Sequence, residues 1–470
     1  MPLFFLLPCF LYPPSHADLS RKRGPQPFIL ILSPSIIRGM RAKRRLQPGL
    51  QLALGFLGVI TIGTLLLLLP ISQNEGENLK AIDALFISTS AVCVTGLTPV
   101  DISVTLSPFG TTVMMLLIQI GGLGYAVIAV IIIRLTSGKL DLSSRNLLRD
   151  SFGADHRVRV WKLFFTAIAV TFTAELIGAI LLFIGFSGHG YSLGRTIYLA
   201  LFHSVSAFNN AGFDLFSTSL MSWNDSALVL VTIALLIVSG GLGFLLYTDL
   251  IALVTKRKKV SLHTKIVLST TLLLIVTGTV LFYFILPDID LKNAFFQSVT
   301  TRTAGYFSYD QTTLPPAGVI LTIVLMFIGA SPGSTGGGVK TTSIFTALKA
   351  TFSLLLGRKT TAFRREISNE SVMKAFFVII ISVLLLAVAT LILSMTDPEF
   401  TSDKLLYEAV SAYATVGLTM GVTPYISFAG KIVLIILMFL GRVGFMTIIS
   451  AFASRKSSQV NLIEEKIIIG

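Results

Sequence analysis

Four glycines define the chemistry open to this sequence. Gly96, Gly212, Gly305 and Gly417 each close a short, semi-apolar segment: DALFISTSAVCVTGLT (83–98), YLALFHSVSAFNNAGFD (198–214), NAFFQSVTTRTAGYF (293–307) and LLYEAVSAYATVGLT (405–419). Ten positions before the glycine stands an aromatic, Phe86, Phe202, Phe295 or Tyr407. Six before it stands Ser90, Ser206, Val299 or Ser411. The glycines lie roughly a hundred residues apart, so the chain from about residue 48 is expected to be four diverged copies of one unit.

Each segment is too short to cross a bilayer and fits a half-helix that enters and turns back. Its C-terminal carbonyls, the negative end of the helix dipole, then point into the membrane. The residues that follow must run extended with unpaired carbonyls. Around one axis, four such strands offer rings of oxygens that replace the hydration shell of a dehydrated cation, as the TVGYG loops of K⁺ channels do. Glycine serves where a carbonyl is aimed inward at positive φ. The expected coordinating strands are Val94, Thr95 and Gly96; Asn210, Ala211 and Gly212; Thr303, Ala304 and Gly305; and Thr415, Val416 and Gly417. Asn209, Asn210, Arg302 and Thr303 are expected to scaffold these strands, His203 to pack or hydrogen-bond, and Cys93 to fill a small core position. Glu175, alone in an apolar span, is either a functional group or a buried partner to a pore-helix end.

Such segments need a membrane around them. The 470 residues are 53% hydrophobic and only 13% charged, against about 25% charged in soluble domains. Apolar runs near 50–70, 109–133, 160–186, 226–254, 263–286, 372–395 and 428–453 each reach the roughly 20 residues that a spanning helix needs. An eighth, near 316–355, is interrupted by the polar, Gly-rich stretch 331–338. It predicts two half-helices around a non-helical centre that lines water or lies inside protein.

The formal charge of +14 does not build a nucleic-acid face, because the basic residues fall at alternate ends of the spans. Residues 41–45, 134–162, 256–265, 358–374 and 455–456 carry them, whereas Glu75, Glu77, Asp214, Asp225, Asp288, Asp290, Asp397 and Glu399 mark the other connections. The positive-inside rule then puts both termini in the cytoplasm. Cys9 and Cys93 support no disulfide framework, and no Cys/His cluster has zinc-site spacing. The spans almost lack the paired ionisable groups that an intramembrane enzyme needs, so no enzyme is expected. Residues 1–39 read either as a tail or as translation from a start codon ahead of Met40, which is followed by RAKRR. The expected layout is a cytoplasmic tail at 1–45, repeats at 46–134, 135–256, 257–365 and 366–455, and a cytoplasmic C-terminus at 456–470.

A second motif keeps step with the first. IGGLGY (120–125), SGGLGF (239–244), IGASPG (328–333) and LGRVGF (440–445) follow the four glycines. Their small residues either pack helices or thin and flex a pore lining.

Over residues 45–470 the chain resembles the Ktr/Trk/HKT superfamily of cation transporters. The strings TGLTPVD (95–101), LFHSVSAFNNAGF (201–213), TRTAGYF (301–307) and ATVGLTMGVTP (414–424) carry the resemblance, together with GGLG in the second helices. It implies an all-α integral membrane protein with four membrane-pore-membrane repeats, a K⁺-channel-like pseudo-fourfold pore, and the eight spans of a Ktr-type membrane subunit. It further implies K⁺ as the transported ion, Na⁺ as activator, a plasma-membrane location, and no cofactor within this chain. The implied assembly is a homodimer regulated by a cytosolic ring of RCK/KTN-type subunits, similar to KtrA and TrkA, that bind NAD(H), ATP or ADP. The rival within the superfamily is a Na⁺-permeable or Na⁺-coupled transporter; in plant relatives a serine at the first filter glycine accompanies Na⁺ permeation, and Gly96 favours K⁺.

The resemblance also assigns residues 329–340 to an intramembrane gating loop below the filter. The gate positions are Ser331, Ser334, Thr335, Gly336, Gly337, Gly338 and Lys340; Pro332 and the glycine run depart from the Ser/Ala/Thr-rich loop of the family. Arg442 is a basic residue well inside an expected span, where lipid exposure costs about 2.5–3.5 kcal/mol. LGRVGF aligns with IGASPG, so Arg442 is expected level with the loop, donating to Ser331, Ser334 and Thr335 and repelling a passing cation.

Overall fold

The computed structural model describes residues 48–124, 160–256 and 259–444. The expected tail, the Met40 start, the basic connection 135–159 and the C-terminus 456–470 lie outside these residues. Serine and aspartate place seven of the helix starts, each accepting the main-chain N–H three positions on. Ser107 caps α3, Ser192 caps α5, Ser226 caps α6, Ser261 caps α8, Asp290 caps α9, Ser368 caps α12 and Ser427 caps α14. The helices are α1 (Pro48–Leu67), α2 (Ala81–Cys93), α3 (Pro108–Leu123), α4 (Val160–Phe186), α5 (Leu193–Phe208), α6 (Ala227–Gly241) and α7 (Phe244–Lys256). They continue with α8 (Leu262–Ile285), α9 (Leu291–Thr300), α10 (Pro316–Phe327), α11 (Thr341–Leu355), α12 (Asn369–Thr396), α13 (Ser402–Ala414) and α14 (Phe428–Val443). A two-residue hairpin, Thr361–Ala362 with Arg365–Glu366, follows α11.

Among the described residues, α1, α4, α8 and α12 are long and apolar enough to cross a membrane. Their faces expose Leu65, Leu176, Leu272 and Leu391, as a lipid-facing helix does. Short helices α2, α5, α9 and α13 follow them, as the four segments predict.

The expected continuous span near 226–254 is corrected. It is a bent pair, α6 and α7, turned by 90°, because Leu242 ends the helix and Gly243 takes φ 87°. The interruption expected in the third repeat alone is therefore shared by the second. In the first and fourth repeats the helix likewise stops at the motif: Gly124 caps α3 at φ 54° and Gly444 caps α14 at φ 85°. A helix residue cannot hold such a φ without strain unless it is glycine.

The packing closes on itself. α3 lies against α5, α6 against α9, α10 against α13, and α14 against α2. α3, α6 and α10 thus each touch the next short helix along the chain, and α14 returns to the first, α2. Lys431 on α14 seals that return with an ion pair to Asp83 on α2, 2.7 Å long, in which the side chains are only 14% and 7% exposed.

Candidate ion-binding site

The chain reverses after each short helix through a left-handed residue two places before the glycine. Val94, Asn210, Thr303 and Thr415 take φ of 52°, 57°, 77° and 52°. The glycines follow at φ 96°, 70°, 83° and 95° for Gly96, Gly212, Gly305 and Gly417. The chain after each short helix is therefore not extended throughout: a left-handed residue stands two places before the glycine. Three of the four reversing residues are β-branched, and a left-handed L-residue costs roughly 1–2 kcal/mol. Helix-end hydrogen bonding offsets this strain.

Those bonds give the recurrent serine its role. The N–H of Thr95 donates to Ser90 O, that of Ala211 to Ser206 O, and that of Val416 to Ser411 O, each at 2.8 Å. The serine hydroxyls then accept the N–H of Gly96 at 3.1 Å, of Phe213 at 3.0 Å and of Gly417 at 3.1 Å. One serine therefore ties the helix end to the strand twice. Val299 has no hydroxyl, and the neighbouring Thr300 donates to Tyr306 O instead.

The four glycines stand in a closed ring. A β-carbon on Gly96 would lie 2.6 Å from Ala211 O. Likewise one on Gly212 would collide with Ala304 O, one on Gly305 with Val416 O, and one on Gly417 with Thr95 O. Each strand presses on the carbonyl of the next. Side chains hold the chain beyond each strand: the Glu408 carboxylate accepts from Thr419 and Thr423 hydroxyls and the Met420 N–H, His203 Nε2 accepts the Leu215 N–H at 3.3 Å, and the Tyr306 hydroxyl donates to Phe213 O at 2.9 Å. Glu408 was missed in the sequence reading; an ionisable residue within a membrane-embedded segment was the available signal.

Above the ring opens a cavity of about 200 Å³ lined by Gly96, Thr98, Asp101, Gly212, Asp214 and Ser217, among others. Burial raises the Asp214 pKa to about 6, partly offset by the Phe216 N–H that it accepts at 2.9 Å. Two carboxylates at this mouth favour a cation over an anion.

Beneath the ring lies the loop 329–338, pinched at its neck by pairing of Ile328 with Val339. It reaches three of the four reversing residues. The Thr335 hydroxyl donates to Asn210 Oδ1 at 2.7 Å, the Gly337 N–H donates to Thr415 Oγ1 at 2.9 Å, and a β-carbon on Gly336 would strike Thr303. The Lys340 ammonium donates to Gly336 O at 2.8 Å and Gly337 O at 3.3 Å.

Arg442 occupies the level expected of it. Nη1 donates to Thr335 O, and Nη2 donates to Gly121 O and, at 3.3 Å, to Gly122 O. The guanidinium therefore bridges the loop to the end of α3. Ser331 and Ser334 bond within their own segment, Ser331 with the Thr341 hydroxyl at 3.2 Å and Ser334 to Ser331 O at 2.6 Å.

The second motif does more than either expected reading. Gly121, Gly240 and Gly441 lie where a β-carbon would collide with Val92 O, Phe208 O and Tyr413 O at the short-helix ends. Packing and helix termination both depend on it. Asn209 donates to Glu175 Oε1 at 2.9 Å and Gln119 Oε1 at 3.1 Å, so Glu175 is a buried partner to a pore-helix end. Cys93 is buried in the core.

Residues 50–461 match the TrkH family model, described as cation transport protein. The potassium/sodium uptake protein NtpJ of Enterococcus hirae is 36% identical, over 92% of this chain and 99% of its own. The Ktr system potassium uptake protein B of Bacillus subtilis is 36% identical, over 91% of this chain and 97% of its own. The crystal structure of the potassium transporter TrkH from Vibrio parahaemolyticus superposes with a TM-score of 0.68 at 19% identity, covering 88% of this chain and 86% of that one. That likeness shows a shared, mostly helical fold.

Proposed function

The chain belongs to the TrkH family of cation transport proteins, and from that premise we propose that it is the K⁺-translocating membrane subunit of a Ktr/Trk-type uptake system. The observation that carries this reading is the closed ring in which Gly96, Gly212, Gly305 and Gly417 each abut the carbonyl preceding the next glycine. In the proposal four units, near 46–134, 135–256, 257–365 and 366–455, surround one pseudo-fourfold pore. Carbonyls of Val94, Thr95, Asn210, Ala211, Thr303, Ala304, Thr415, Val416 and the four glycines replace the water of a dehydrated K⁺.

The loop 329–340 forms the gate. With Arg442 anchoring Thr335 O and Lys340 anchoring Gly336 O, the loop stays under the ring and two fixed positive charges face the pathway. Repulsion in this low-dielectric setting opposes a cation. A cytosolic nucleotide-binding ring, with two copies of this chain above it, releases the latch. The Ktr system names of the relatives favour such a multi-component assembly. The hairpin at 361–366, with Phe363 exposed, offers one docking element on the cytoplasmic face.

A Na⁺-permeable reading draws on the potassium/sodium name of one relative. Expression in a K⁺-uptake-deficient cell, with and without the cytosolic partner, tests the proposal. Growth at low K⁺ is expected, with Na⁺ accelerating uptake. A protein that inserts in the membrane yet restores no growth with the partner present overturns it; Na⁺ flux exceeding K⁺ flux in liposomes selects the rival.

A further inference from the structure

Arg302 follows the cap Thr301 of the third short helix and sits directly before the strand Thr303, Ala304 and Gly305. It is 7% exposed, and among the described residues no carboxylate pairs with it. One Nη1 contact to Thr271 O at 3.5 Å exceeds the usual hydrogen-bond length. Its Nε has no hydrogen-bond partner. Thr271 on α8 is 6% exposed, and its hydroxyl is likewise unpartnered.

Both side chains line one cavity of about 10 Å³ between α6, α8 and α9, together with Val238, Gly241, Val299 and Ala330. A guanidinium carries donors and no acceptor, and a threonine hydroxyl adds one more donor. Water satisfies such donors but leaves the buried positive charge uncompensated, at a cost that isolated charges away from water do not sustain. The volume is about that of one water-sized sphere. Phosphate and lipid headgroups are too large for it. Valine walls suit a weakly hydrated ion.

We propose that this cavity is a binding site for a small monovalent anion of the chloride class, held by the Arg302 guanidinium and the Thr271 hydroxyl behind the third strand of the ring. The site is rooted in the gate: Gly241 O accepts the Ser331 N–H at 3.1 Å, and Ala330 O accepts the Thr341 N–H at 3.3 Å. A bound anion therefore braces the third strand from behind and the loop at both ends of its root.

The experiment is a thermal-melting titration of the purified full-length protein in detergent, exchanging gluconate for chloride or bromide at constant K⁺ and ionic strength. A saturable rise in melting temperature with either halide is expected, as for a ligand that binds only the folded state. Thr271→Val, which keeps the shape and loses the donor, should need at least about tenfold more halide, or about 1.4 kcal/mol less binding. Arg302→Gln should abolish the response. Bromide diffusion into crystals should give anomalous density between Arg302 and Thr271. Equal melting of the wild-type protein in gluconate and chloride overturns the site, as does a wild-type halide response in Thr271→Val. The titration reads anion binding alone, so its failure leaves the transport reading standing, and failure of K⁺ uptake leaves the anion site standing.

Discussion

At the scale of single residues, the ring of glycines makes a sharp demand. A β-carbon at any of the four meets a neighbouring carbonyl, so Gly96→Ser, Gly212→Ser, Gly305→Ser and Gly417→Ser should each twist one ring of oxygens and lower K⁺ over Na⁺ preference about tenfold or more, a change of about 1.4 kcal/mol in relative barrier. Competition of Na⁺ with K⁺ uptake in liposomes measures it; unchanged preference in all four variants removes the filter assignment. The Asp214 carboxyl at the mouth gives a second readout. Its raised pKa of about 6 means that it is charged above and neutral below that pH, so external acidification through pH 6 removes one negative charge from the cavity. Uptake at limiting K⁺ should fall roughly two- to tenfold as the attraction for the cation weakens. Asp214→Asn should show the low rate at every pH, and a wild-type pH profile in that variant would contradict the account.

At the scale of elements, the loop 329–338 is held from three directions: Asn210 and Thr415 above, Gly240 and Gly241 at the side, and Arg442 reaching in from α14. Removing the bridge should free it. Arg442→Ala, and deletion of 334–337, are each expected to raise K⁺ flux severalfold without the cytosolic partner. Wild-type or lower flux from normally inserted variants counts against the latch. Thr335→Val separates two contributions, since it removes the hydroxyl bond to Asn210 and keeps the carbonyl that Arg442 holds. It should give an intermediate flux. The serine staples make a matching test of the ring: Ser411→Ala leaves the Gly417 N–H without its acceptor inside the protein, a loss of about 1–3 kcal/mol, and should lower the melting temperature more than a substitution at exposed Ser187.

At the scale of the whole molecule, closure depends on α14 meeting α2. There the last short-helix pair returns to the first, and the Lys431–Asp83 pair lies in that contact, 2.7 Å long and largely buried. Asp83 stands in the first turn of α2, where the helix dipole also favours its charge. Lys431→Ala leaves that carboxylate buried and unpaired, which costs about 3–5 kcal/mol. A matching drop in detergent melting temperature is expected, with partial recovery in the double variant Asp83→Asn, Lys431→Gln. Full stability in Lys431→Ala would show that the ring closes without the pair.

The sequence by itself carried the recurrence of the four glycine-ended segments and the apolar helices of a membrane setting, because both follow from local period and composition. Ser90, Ser206 and Ser411 were visible as a recurrence, yet their double hold on helix end and strand was not, since it depends on a left-handed turn that folds the hydroxyl back. The break at Gly243 was hidden within an unbroken apolar run, because GGLG satisfies a helical pattern as well as a helix end. Only the tertiary structure decided that Glu175 serves Asn209, that Glu408 holds the chain beyond the fourth strand, and that Arg442 on α14 joins the loop 329–338 to the end of α3. These contacts join residues far apart in the chain, and composition and spacing carry no information about which buried donor will meet which acceptor.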